Sequence, residues 1–135
     1  MNTLEKIGLV GLVPVVVIND EKDAVPAAEA LLEGGLDIME ITMRTDAGIQ
    51  AIKNVTEGCP DMLVGAGTVL TLDKLKEAVE VGAKFIVSPG FNEKIVAWCL
   101  ENNVTVTPGC VTPTEIEAAL SYGIKILKFF PAGTY

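Results

Sequence analysis

The chain has 135 residues, half of them hydrophobic but only 5% aromatic, and its 18 acidic side chains outweigh 10 basic ones for a net charge of −8. That balance excludes nucleic-acid binding through a general basic surface, so an anionic ligand has to be held by a few local cations. Cys59, Cys99 and Cys110, with no C-x-x-C spacing and no histidine anywhere, exclude a disulfide framework and a zinc cluster and point to reduced thiols in the cytoplasm.

In chain order, the first apolar run covers residues 7–18. Gly8, Gly11 and Pro14 interrupt it, and it is too short to span a bilayer. It predicts a helical turn followed by a first strand, with no membrane partner. Further strand-like runs rich in β-branched residues follow at 37–43, 62–69, 84–88, 104–107 and 125–130, the first strand itself falling at 12–18. Amphipathic stretches separate them. Val25, Ala28 and Leu32 share a helical face, as do Ile49, Ile52 and Val55, and Leu72, Leu75 and Val79. Thr45, Thr71 and Asn92 are expected N-caps, and Thr112-Pro113-Thr114-Glu115 reads as a capping box with proline at the first helical position. Gly34-Gly35, Gly58, Gly82 and Gly123 stand where the helices should end.

Six βα-type units result, the last without its helix. A doubly wound sheet suits the length. A (β/α)8 barrel needs at least about 200 residues, which would make residues 1–135 a single barrel domain, C-terminally incomplete. The strand ends favour the barrel. Residues two apart on a strand share a face, so Glu40, Thr42 and Arg44 point together, Thr68 goes with Ala66, Thr107 with Thr105 and Lys128 with Ile126. Four strands thus bring polar residues to one end of one face, as around a barrel mouth.

Lys128 carries the chemistry. It sits in the apolar run Ile126-Leu127-Lys128-Phe129-Phe130-Pro131-Ala132, where loss of solvation would favour the free amine that a Schiff-base nucleophile needs. The bland alternative is a strand-end lysine whose ammonium snorkels to water. Glu40 is the best-placed proton shuttle in a chain without histidine, Arg44 offers a fork for a carboxylate, and Thr68 adds a hydroxyl beside it. Glu40 and Arg44 could equally form a plain rim ion pair. Gly65-Ala66-Gly67 lacks the third glycine of a dinucleotide loop, since Leu70 stands in its place. Trp98 reads as packing.

Glu40-Ile41-Thr42-Met43-Arg44-Thr45, Val64-Gly65-Ala66-Gly67-Thr68-Val69, Ile86-Val87-Ser88-Pro89-Gly90 and Leu127-Lys128-Phe129-Phe130-Pro131-Ala132 together resemble the 2-keto-3-deoxy-6-phosphogluconate aldolase family, which includes 4-hydroxy-2-oxoglutarate aldolases. The resemblance implies a (β/α)8 barrel and a homotrimer. It also implies a class I aldolase needing no metal or other cofactor, which releases pyruvate from its keto-acid substrate. Carried over residue by residue, it makes Lys128 the Schiff-base lysine and Glu40 the general acid/base. Arg44 and Thr68 become the carboxylate-holding pair, with Pro89 and Phe130 as pocket walls. The family continues with two further strands whose loops form most of its phosphate site. The alternatives are a truncated, inactive barrel fragment, or a barrel that binds a keto acid without cleaving it.

Overall fold

The computed structural model describes residues 1–134; Tyr135, where the expected domain ends, lies outside the described residues. Helices and strands alternate along them: α1 (Thr3–Val10), β1 (Val15–Val16), α2 (Ala24–Glu33), β2 (Ile38–Thr42), α3 (Gly48–Gly58), β3 (Leu63–Gly67), α4 (Leu72–Glu80), β4 (Phe85–Ser88), α5 (Glu93–Glu101), β5 (Thr105–Cys110), α6 (Pro113–Ser121) and β6 (Lys128–Phe129). Every pairing is parallel, and the strand order is β1-β2-β3-β4-β5-β6. A doubly wound sheet reverses direction at a switch point. None occurs here. The architecture is an α/β fold whose curled parallel sheet forms part of a barrel of the TIM type.

The two-residue strand period divides the core. On the convex face, Met39, Ile41, Val64, Ala66, Ile86 and Val106 belong to one cluster with helix residues such as Ala28, Ile52, Val55, Leu75 and Ile95. On the concave face, Ile38, Phe85 and Val87 form a second cluster, joined by Leu63, Val13 and, from α1, Ile7 and Val10. Helix α1 is a full eight-residue helix where the sequence suggested a turn. Its capping box, Asn2 with Glu5, is a local signal for that helix. Gly11, at φ 74°, ends it in the left-handed conformation that favours glycine.

The expected caps Thr71, Asn92 and Thr112 each accept a backbone N–H at the start of their helices, and Glu115 completes the box at α6. Thr45 does not cap. Its hydroxyl donates to the Ile18 carbonyl across the sheet, and α3 begins after Ala47. The outer strands are far shorter than their apolar runs, because among the described residues β1 pairs only with β2 and β6 only with β5. Strand β5 is longer than expected and continues through Pro108 and Gly109. The absent side chain at Gly109 lets the Pro89 carbonyl oxygen approach to 2.0 Å from where a Cβ would stand. No helix among the described residues is long and apolar enough to cross a membrane.

Candidate active site

Strand β2 turns Glu40 and Thr42 toward the concave face, and both are almost fully buried, at 2% and 1% exposure. Neither Glu40 Oε1 nor Thr42 Oγ1 has a hydrogen-bond partner among the described residues. Burial without such a partner disfavours the ionised carboxylate, so the Glu40 carboxyl lies above the usual carboxylate range. The positive charges of Lys128 and Arg44 pull it partway back.

Glu40 and Lys128 line one cavity of about 260 Å³, together with Phe85, Val87, Thr107 and Ile126. Lys128 is half-buried on β6, opposite Gly109 in the register, with its Nζ 4.6 Å from the centroid of the Phe130 ring. That spacing is a cation–π contact. The apolar run around Lys128 is more open than its composition suggests. Ile126 and Phe129 are 42% and 54% exposed, because among the described residues β6 ends the sheet and pairs with β5 alone.

Arg44 follows β2 and is exposed, and its Nε donates to Thr68 Oγ1 at 3.2 Å. It forms no ion pair with Glu40 among the described residues, which removes the rim-pair alternative. Thr68 reaches Arg44 by a route that the strand period does not give. Ala66 packs on the helix side, and Thr68 would join it there if β3 ran on. Instead Thr68 takes φ 54°, a left-handed turn that costs a β-branched residue roughly 1–2 kcal/mol. Thr68→Gly should therefore raise stability in thermal unfolding by about 1 kcal/mol, whereas Thr68→Ala keeps the strain and discards the hydroxyl. A glycine variant no more stable than the alanine variant would show that the residue is unstrained.

The remaining candidates lie less centrally. Phe130 reaches the site through its ring over Lys128. Pro89 lines a separate depression of about 170 Å³ with Leu70, Ser88 and Phe91, not the Glu40–Lys128 cavity. Its link to the site is the carbonyl packed on Gly109, the register partner of Lys128. Phe85, Ile7 and Val13 line the cavity and were not anticipated. The available signal was the pair Gly65 and Gly67, which leaves the concave side of β3 bare beyond Leu63, where Phe85 leans across it.

A sequence profile of the KDPG and KHG aldolases matches residues 4–135. The chain belongs to this aldolase family. It is 48% identical over 128 residues to the 2-dehydro-3-deoxy-phosphogluconate aldolase of Treponema pallidum (strain Nichols), an alignment covering 95% of the chain and 61% of that protein. The KDPG aldolase of Zymomonas mobilis ZM4, solved with 3-phosphoglycerate, superposes with a TM-score of 0.89 at 37% identity, over 98% of this chain and 65% of that one. The Legionella pneumophila enzyme, solved with pyruvate captured as a covalent carbinolamine, superposes at 0.87 with 37% identity, over 90% and 59%. The chain thus spans about three-fifths of the length of the curated relatives it matches.

Proposed function

We propose that this chain carries the imine-forming site of a class I aldolase. Its substrates would be 2-keto-3-deoxy-6-phosphogluconate, released as pyruvate and glyceraldehyde 3-phosphate, and 4-hydroxy-2-oxoglutarate, released as pyruvate and glyoxylate. The observation that carries this reading is the single cavity shared by Lys128 and Glu40. The names of the relatives agree with it.

In this mechanism the Lys128 amine adds to the keto carbon, and loss of water leaves an iminium. The iminium accepts the electron pair of the C3–C4 bond as that bond breaks. Glu40 takes the proton from the C4 hydroxyl, so the aldehyde departs and an enamine remains. Protonation at C3 and hydrolysis of the iminium then release pyruvate and restore the amine. Arg44 and Thr68, already joined by a hydrogen bond, would hold the substrate carboxylate. Phe130, and less directly Pro89, would wall the reacting carbon.

The complete architecture in this reading is a (β/α)8 barrel, assembled as a cytoplasmic homotrimer. What supports the barrel is the sequential strand order and the exposed apolar side chains in and beside both outer strands, Leu12, Val15 and Val17 around β1 and Ile126 and Phe129 around β6. Closing strands would cover them.

Borohydride reduction in the presence of pyruvate tests the reading. It should add the mass of the reduced adduct to the peptide carrying Lys128. A barrel that binds a keto acid without covalent chemistry would take up no label, and a label on Lys84 or Lys125 would refute the assignment.

A further inference from the structure

Two of the three concave positions of β3, Gly65 and Gly67, are glycine, and each is closely approached by a different neighbour. A Cβ at Gly65 would stand 2.2 Å from the Phe85 ring, and a Cβ at Gly67 would stand 2.2 Å from Glu40 Oε1, 2.5 Å from its Cδ and 2.7 Å from its Cγ. Ordinary contacts need roughly 3.5 Å, so an alanine at 67 would displace the whole end of the Glu40 side chain, not only its terminal oxygen. In the ladder Glu40 lies opposite Gly65, and Gly67 lies opposite Thr42, two residues nearer the C-terminal ends of the strands. The Glu40 side chain therefore slants along β3 toward the end where Arg44, Thr68 and Lys128 gather. It is 2% exposed, no hydrogen bond to Oε1 from a described residue holds it there, and the cavity it lines is the space into which a displaced carboxyl would turn.

We propose that Gly67 is a positioning residue for Glu40: the bare backbone of β3 opens a lane that delivers the Glu40 carboxyl to the reacting end of the cavity. Gly67 touches no substrate in this account and acts only through Glu40. The catalytic consequence rests on the aldolase reading above, whereas the lane itself does not.

Two double-mutant cycles in the purified protein test the proposal. In the first, kcat and KM for cleavage of 2-keto-3-deoxy-6-phosphogluconate are compared for Gly67→Ala, Glu40→Gln and the pair. A displacement near 1 Å should lower kcat by roughly 10²-fold, with KM changed by less than about threefold. Added to Glu40→Gln, the same alanine should cost less than about twofold, because the group it displaces no longer acts. Gly67→Ala with turnover within about threefold of the parent, or with the same loss in both backgrounds, would overturn the proposal.

The second cycle reads melting temperature alone. Gly67→Ala should lower it markedly in the parent and much less in Glu40→Ala, where the obstructing side chain is gone. If Gly67→Ala does not fold, Glu40→Ala with Gly67→Ala should. Equal losses in both backgrounds, or failure of both proteins to fold, would refute the lane. A parent protein that cleaves no keto acid would remove the aldolase reading and leave this second cycle to decide on Gly67.

Discussion

Lys128→Met is expected to lower aldol cleavage by more than about 10⁴-fold while the protein stays folded. Without the amine no iminium forms, and the electron pair of the breaking bond has nowhere to go. The structure makes the fold tolerant of this change. Lys128 is half-buried, it forms no ion pair among the described residues, and its contact with the Phe130 ring is worth about 1 kcal/mol. Methionine keeps most of the apolar stem and packs against the same ring. Lys128→Arg separates the roles of charge and nucleophile. It preserves a cation over Phe130 but no amine able to add to a ketone, so it should be as inactive as the methionine variant. Arginine at near-parental rate would mean that position 128 supplies charge only. Retained borohydride labelling in Lys128→Met would move the nucleophile elsewhere. Lys84 and Lys125 are the poorer choices: both are exposed, and both precede their strands, at the end of the sheet away from Arg44 and Thr68.

What the sequence could disclose follows from the range of the interactions involved. Thr71, Asn92 and the Thr112–Glu115 box were legible because a cap is closed within three residues. The inward setting of Glu40 and the shared face of Thr107 with the cavity were legible for the same reason, since strand alternation is local. Thr45 misled because its hydroxyl found a partner 27 residues away, at Ile18. The extent of β1 and β6 was not legible, because a ladder needs a second strand, and an apolar run says nothing of how far its neighbour follows it. Thr68 was assigned to the site for a reason the backbone does not obey. Only its left-handed turn, invisible to a period of two, brings the hydroxyl to Arg44. Phe85 entered the cavity wall through the space that Gly65 leaves, and α1 packs on the cluster Phe85 belongs to, a long-range fit that no single stretch of sequence encodes.

Glu40→Gln should lower turnover by roughly 10²–10⁴-fold, the usual weight of general acid–base catalysis, and at the same time make the fold less sensitive to rising pH. Both effects have one cause. Burial lifts the Glu40 carboxyl above its ordinary value of 4.5, more than Lys128 and Arg44 can offset. Below that ordinary value both folded and unfolded chains hold the proton, so stability does not change with pH there. As pH rises past it, the unfolded chain releases the proton first while the folded chain retains it, so unfolding gains ground until the folded carboxyl also ionises. The stabilising contribution is thus present at low pH and lost as pH climbs through the raised value. Glutamine has no proton to release and still leaves a buried polar group, so its own cost does not change with pH. Melting temperatures of the two proteins from about pH 4 to about pH 8 should therefore converge, or cross in favour of glutamine, as pH increases. A constant gap would mean that the carboxyl is solvated in the folded protein. Near-parental turnover in Glu40→Gln would assign the proton transfers to another group. Reduced turnover with a better-tolerated rise in pH is the joint result expected of a buried carboxyl whose Oε1 has no hydrogen-bond partner among the described residues and whose hold on its proton is strengthened by that burial. The condition that weakens the fold at Glu40 is then the one that equips it for proton transfer.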